Sequence, residues 1–198
     1  PMLEEHGISH PDELYINNMY QAALACDMDK PIFISIGSGN CDTEVRIAQG
    51  LRDKGLDNFC IECLDLNPSM LQRGLQLAES ECVSEHLSFI EADFNKWKAD
   101  KAYCAVIANQ SLHHIQNLEG VFREIKRSLH ENGSFITSDM IGRNGHQRWP
   151  EALEAVNEFW KELPDRYKYN HQLERFEEEY ENWDCSNEGF EGIRAQDI

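Results

Sequence analysis

No stretch of this chain approaches the ~20 consecutive apolar residues that span a bilayer as a helix. Residues 1–20 are polar and acidic and lack the pattern of a secretory signal. Basic residues are scarce: 18 Lys and Arg stand against 36 Asp and Glu, a net charge of −18. That balance argues against a nucleic-acid backbone as main partner, because phosphate contacts need clustered Lys and Arg. It argues equally against docking on anionic membranes. A disulfide framework is missing as well. The seven cysteines, at 26, 41, 60, 63, 82, 104 and 185, are odd in number and irregularly spaced, which reads as reduced thiols and a cytoplasmic protein. Cys60 and Cys63 form a lone C-x-x-C, but in a strand their side chains point to opposite faces. No second Cys pair or Cys/His cluster supports zinc, so no metal is expected.

What is present is a globular composition, 41% hydrophobic over 198 residues, enough for one domain or two small ones. Short apolar runs at Ile32–Ile36, Phe59–Leu64, Leu87–Ile90, Tyr103–Ala108 and Ser134–Ile141 predict five strands. Helices are expected between them. One runs over about 43–54, capped by Asp42 or Thr43. Another starts at Asn67-Pro68, with Asn as N-cap and Pro at the first helical position. A third carries Leu118, Val121, Phe122, Ile125 and Leu129 on one face and ends at Asn132-Gly133. Continuous apolar strands alternating with helices mean a Rossmann-like α/β fold, a mostly parallel sheet covered on both faces.

Beyond Ile141 the texture changes. Pro150 opens a helix with Leu153, Val156, Phe159, Trp160 and Leu163 on one face, and a second acidic helix is expected over about 171–183 with Leu173, Phe176, Tyr180 and Trp183. Residues 151–198 hold 14 acidic against 5 basic residues, half the net charge on a quarter of the chain.

The residues that point to chemistry sit at strand ends. Gly37-Ser38-Gly39 follows the first strand, where glycines let the backbone bend sharply and approach a ligand. The full dinucleotide fingerprint G-x-G-x-x-G fails, since position 42 is Asp, and an acid at that helix start repels a pyrophosphate. Asp65 follows the second strand, placed to accept from both hydroxyls of a ribose, or to be an ordinary loop acid. Asp93 follows the third, with Phe94 beside it: a carboxylate for an exocyclic amine and a ring for a flat base, or a plain turn.

Together these features, in order over residues 32–141, resemble class I S-adenosylmethionine-dependent methyltransferases of the small-molecule type. The resemblance implies S-adenosylmethionine as cofactor. It places the methionine part on Gly37, Ser38 and Gly39, the ribose on Asp65 with Leu66, and the adenine on Asp93 and Phe94. Asn109 and Gln110 resemble the loop after strand four that contacts the methionine part and faces the substrate. Two positions depart from the family: its usual third glycine is Cys41, and its usual acid two residues before the first glycine is Ser35, which carries no charge for the cofactor's ammonium. The family's sheet also ends in strands six and seven, for which the remaining residues leave little room, so the last strands are expected to be missing and the chain truncated. The implied organisation is an N-terminal helical segment plus cofactor-binding α/β core over 1–141, then a helical lid or substrate segment over 142–198.

Methyl transfer from a sulfonium is an in-line displacement in which positioning does much of the work, and hydroxyl or amine acceptors often need a base. His113 and His114 are the candidates, with Asp139 and His171 further off; packing or capping is the plainer role for both histidines. Trp149, Tyr167, Tyr169 and His171 are candidate substrate contacts in the aromatic, acidic tail, whose charge suggests an amine or cationic acceptor. Phe159 and Trp160 are read as helix packing. Tyr15, Met19 and Tyr20 fit either a lid wall or the core. Two alternatives stay open: a non-catalytic member that binds cofactor or a protein partner, and a nucleotide-dependent oxidoreductase.

Overall fold

The computed structural model describes residues 10–171, 174–187 and 191–198, with Glu5 and Ile8 ahead of them. Leu173 lies outside the described residues. The chain divides into two compact units, residues 1–139 and 140–198.

The first unit holds a five-stranded parallel sheet in the order β3-β2-β1-β4-β5. The strands are β1 (Ile32–Ile36), β2 (Cys60–Asp65), β3 (Leu87–Glu91), β4 (Tyr103–Asn109) and β5 (Leu129–Ser138). The helices are α1 (Pro11–Cys26), α2 (Asp42–Asp53), α3 (Pro68–Ser80) and α4 (Leu118–Ser128). One sheet face presents Phe33, Ile61, Cys63 and Ile107 to the buried stripes of α1, α2 and α3. On the other face Phe135, in register with Val106, meets Phe122 of α4 with ring centroids 6.0 Å apart. Burial on both sides is why the strands read as unbroken apolar runs. Tyr15 and Met19 belong to this core and form no lid wall; Tyr20 is half-buried, with the Lys54 ammonium 5.6 Å from its ring centre. The strand order turns back between β1 and β4, and the crevice at the carboxyl ends there is where such sheets take ligands.

Local chemistry explains where boundaries fall. Asn67 caps α3, its Oδ1 accepting from the Ser69 and Met70 amides at 3.0 and 3.4 Å, with Pro68 at the first helical position. The expected cap of α2 is not formed: Cys41 stands at the N-cap, in the left-handed region at φ 59°, without a side-chain cap. Helix α4 stops at Ser128, short of Asn132-Gly133. Those two residues lie instead in an irregularity of β5, whose register slips between the Tyr103–Leu129 and Ala105–Ser134 pairs. A Cβ on Gly133 would stand 3.0 Å from the Tyr103 and His130 carbonyl oxygens, so this glycine serves a close backbone approach and not a helix stop. β5 then ends at Ser138 and not at Ile141.

In the second unit α5 (Pro150–Glu162) forms where its apolar spacing places it, yet buries none of its residues. Phe159 is 77% exposed, contrary to its reading as packing; Trp160 is half-buried against the Tyr180 ring. The helix expected over 171–183 is absent among the described residues. A short antiparallel pair, β6 (Tyr169–Asn170) with β7 (Arg175–Phe176), occupies its start. Glu174 is left-handed at φ 51°, a conformation L-residues adopt singly and not inside a helix. The polar and aromatic groups that suggested a helix are drawn into tertiary contacts: Asn182 bonds both the amide and the carbonyl of Arg148, at 2.6 and 3.2 Å, and the Trp160 indole donates to the Glu177 carbonyl. No helix among the described residues is long and apolar enough to cross a membrane.

Candidate functional site

Three loops meet at the carboxyl edge of the first unit's sheet. The Gly37 and Ser38 amides both donate to the Leu64 carbonyl, at 2.8 and 3.1 Å, which folds the loop after β1 over the end of β2. Gly37 has φ +72°, and a Cβ there would stand 2.6 Å from the Ser111 Cβ; only glycine lets these two loops touch. Gly39 is also left-handed, but its Cβ position faces open space. Its amide donates to Asp65 Oδ2 at 2.8 Å, and Asp65 Oδ1 accepts the Asn67 amide at 2.8 Å. Each carboxylate oxygen has two acceptor positions, so Asp65 keeps capacity for further donors. Leu66 beside it is half exposed, an apolar surface at the mouth of the crevice.

The third loop is tied to the second through the Ala92 amide and the Asp65 carbonyl, 3.0 Å apart. Asp93 is partly used by its own turn: Oδ1 accepts from the Asn95 amide and side chain, and Lys96 Nζ lies 3.2 Å from Oδ2. The Asn95 amide, with Lys96 adding to it, holds the Asp93 carboxyl below its usual range. The Phe94 ring edge lies 3.9 Å from the Cβ position of Gly37, so it lines the glycine loop.

At the exit of β4, Asn109 accepts from the Tyr15 hydroxyl at 3.0 Å and donates to Thr43 at 3.3 Å, joining α1, β4 and the start of α2. Gln110 turns the chain in the left-handed region at φ 52°, anchored on the Ser138 carbonyl. Asp139 organises the turn after Gln110. One of its oxygens accepts the Ser111 and Leu112 amides at 2.9 and 2.7 Å, and the other lies 2.6 Å from His113 Nδ1. The side chains of His113 and Asp139 are 4% and 1% exposed, so the pair is buried together. His114 is half-buried with its ring 4.0 Å from that of His113, which leaves it the more accessible of the two.

The two departures noted in the sequence are compensated by neighbours. Cys41 is accommodated because α3 has Gly74 opposite it; a Cβ there would come within 2.8 Å of the Cys41 sulfur. Ser35 donates to a carboxylate after all: its Oγ lies 2.6 Å from Oε1 of Glu44. Glu44 was missed in the sequence, though a signal was there. It shares the spacing of Ile47, Ala48 and Leu51, an acid on the apolar stripe of α2. Burial pushes its carboxyl up to about 7, against the lowering effect of the Ser35 bond.

The tail candidates lie in the second unit. Trp149 precedes α5 with the Arg143 guanidinium 6.0 Å from its ring. Tyr167 is exposed beneath Arg166, and Tyr169 meets the His171 ring at 5.0 Å. The geometry joins Tyr169 with His171.

Residues 29–181 match the family described as a methyltransferase domain, and the chain belongs to that family. Over 73 residues it is 38% identical to a sterol 24-C-methyltransferase of Aspergillus fumigatus, a stretch that covers 36% of this chain and 19% of that enzyme. The chain thus spans about a fifth of the length of the curated relatives it matches. Among solved structures, a putative sarcosine dimethylglycine methyltransferase of Galdieria sulphuraria superposes with a TM-score of 0.55 at 13% identity, covering 75% of this chain and 51% of that one. A (4+2)-cyclase superposes with a TM-score of 0.51 at 21% identity, over 68% and 50% of the two chains. These likenesses establish the Rossmann-like class I methyltransferase fold.

Proposed function

We propose that the chain binds S-adenosylmethionine at the carboxyl edge of its sheet and transfers the methyl group to a small-molecule acceptor. The observation that carries this reading is the fastening of Asp65 to the glycine loop through the Gly39 amide. It presents a carboxylate with spare lone pairs beside a backbone turn that opens onto free space. Those are the acceptors and the room that a nucleoside with a charged amino-acid tail requires. The family match and the sterol methyltransferase relatives support the same chemistry.

When bound, S-adenosylmethionine supplies an electrophilic methyl group on a sulfonium. The chain's own part is binding and orientation. Gly37, Ser38 and Gly39 with Asn109 and Gln110 frame the amino-acid end, Asp65 and Leu66 the ribose, Asp93 and Phe94 the base. His114, held by His113 on Asp139, is the base we assign to the acceptor. Residues 140–198 serve as a lid or substrate segment in this reading, with Trp149, Tyr167, Tyr169 and His171 offering aromatic surface to an organic acceptor. The net charge of −18 suits neither nucleic acid nor anionic membrane as partner. Seven free thiols accord with a cytoplasmic setting.

Binding and transfer are tested separately, because the (4+2)-cyclase carries this fold under another activity. Asp65→Ala is expected to weaken S-adenosylhomocysteine binding by about 100-fold or more, the loss of two charge-assisted hydrogen bonds. Calorimetry giving equal affinity in both proteins would remove the site. His114→Ala is expected to leave that affinity unchanged while lowering kcat about 100-fold or more with an acceptor that must lose a proton. Unchanged turnover would leave methyl transfer standing without His114 as its base; cofactor binding with no turnover by the unmutated chain would leave a binding member.

A further inference from the structure

The acidic tail is preceded by a stretch of the opposite sign. Residues 140–150 hold Arg143 and Arg148 and no acid, whereas residues 151–198 hold 14 acids. In the second unit these two arginines line a cavity of about 390 Å³. Met140, Ile141, Trp149 and Ala152 supply its apolar walls. Ile141 is 79% exposed and Trp149 54%, an apolar surface left to water. A cavity of this size, with a few placed polar groups, suits a small organic ligand. The many carboxylates of the unit do not neutralise these two arginines. Arg175 pairs with Glu177 and Glu181, and Arg194 with Asp197. Among the described residues no carboxylate lies within ion-pair distance of Arg143 or Arg148, and Arg143 turns instead to the Arg148 carbonyl.

The loop that carries them is tied in place. The Gly145 amide donates to the Gly192 carbonyl at 2.8 Å, and the Gly142 amide to the Ala195 carbonyl at 3.3 Å. Gly145 is left-handed at φ +62°, and a Cβ there would overlap Asp184, so the loop requires glycine at this point. Asn182 fastens both the amide and the carbonyl of Arg148, and the Gln147 side chain donates to the Asn182 carbonyl at 3.2 Å. Arg143 is positioned as well: Nη1 donates to the Arg148 carbonyl at 3.3 Å, and the guanidinium lies 6.0 Å from the Trp149 ring centre. A guanidinium has five N–H donors, so most of them remain to be offered. Two acids that approach the loop are engaged: Asp184 accepts from the Ser186 amide and hydroxyl, and Glu191 lies 3.5 Å from His146 Nε2. The start of α5 adds to the same field. Trp149 at its N-cap gives no side-chain cap, Ala152 lines the cavity, and the first turn of a helix favours negative charge.

We propose that this cavity binds an organic oxyanion, a carboxylate or phosphate carried on a flat apolar body. Arg143 and Arg148 take the oxyanion, whose paired oxygens match the guanidinium fork. The Trp149 ring and the apolar walls take the body. Arg143 is already held beside Trp149, so little freedom is lost when the ligand arrives. The total charge of the tail suggests an amine or cationic ligand, but the charge that faces this cavity selects the opposite sign. The site lies within the second unit and does not depend on the cofactor reading above.

The test is calorimetric titration of the full chain with benzoate, phenyl phosphate, benzyl alcohol and benzylamine, with and without S-adenosylhomocysteine. At least one of the two anions is expected to bind about tenfold or more tightly than benzyl alcohol, and benzylamine more weakly still. The tighter anion names the head group. Arg148→Gln is expected to lose about tenfold in anion affinity, and the double change with Arg143→Gln about 100-fold, while benzyl alcohol binds as before. That neutral probe separates lost recognition from a damaged fold. Arg148→Lys keeps the charge without the fork and is expected to fall between wild type and Arg148→Gln. Anions that bind no better than benzyl alcohol, or that bind the double variant as they bind the wild type, would overturn the site. Anion binding lost on adding S-adenosylhomocysteine would place it in the cofactor crevice and overturn the site as well.

Discussion

Asp139→Ala is expected to cost about 3–5 kcal/mol of stability, among the largest losses any single polar change in the first unit brings. The side chain is 1% exposed and accepts three contacts: the amides of Ser111 and Leu112 and Nδ1 of His113. Alanine leaves two backbone donors and an imidazole buried without this acceptor, and each unmet buried donor costs about 1–3 kcal/mol. The loop after β4 is then free to leave its place against Gly37, because Ser111 is the residue that touches both. Cofactor binding is expected to fall with stability, and His114 to lose its support. Asp139→Asn, which keeps the size and one acceptor oxygen, is expected to lose less. Urea unfolding measures the first effect and calorimetry the second. A stability change under ~1 kcal/mol for alanine would mean that the carboxylate is not what holds this loop.

Gly37→Ala is expected to abolish measurable cofactor binding, with about 2–4 kcal/mol of destabilisation. Two causes add. A non-glycine residue in the left-handed region costs about 1 kcal/mol, and forcing a methyl into packed surroundings costs about 1–3 kcal/mol more. The clash is severe because the obstructing atom is the Cβ of Ser111, close to the backbone and 2.6 Å away, and not the tip of a flexible side chain. Gly39→Ala is the control. It has the same backbone strain at φ +55° but no atom within 4 Å of the new methyl. It is expected to lose only about 1 kcal/mol of stability, while its methyl enters the open space assigned to the cofactor. Equal stability loss in the two variants would show that strain alone, and not the fit of two loops, sets the requirement for glycine.

The succession of strands along the chain, the glycine loop and the two loop acids Asp65 and Asp93 were legible because local chemistry decides them. Apolar runs of five to seven residues closed by glycine or acid, and Asn67-Pro68 at a helix start, leave little choice of structure. The start of β5 was not legible, because Asn132-Gly133 is the common signature of a helix end, and only the Tyr103 carbonyl opposite shows what the glycine is for. The tail misled in the same way. Phe176, Tyr180 and Trp183 fall at helical intervals, but the left-handed turn at Glu174 and the pairing of Asn182 with Arg148 spend that sequence on a hairpin and a crosslink. Within the site, Ser35 read as a missing charge. A carboxyl stands beside it, supplied nine residues later from another element, and a pairing between a strand and a helix is invisible to a motif counted along the chain.

The position of the nucleoside tests these assignments most directly. A structure of the intact chain with S-adenosylhomocysteine is predicted to place both ribose hydroxyls on the carboxylate of Asp65, with the Gly39 amide still bound to it. The adenine amine is predicted beside Asp93 and the ring against Phe94. A ligand seated elsewhere, or an Asp65 carboxylate that keeps only the Gly39 and Asn67 amides, would contradict them.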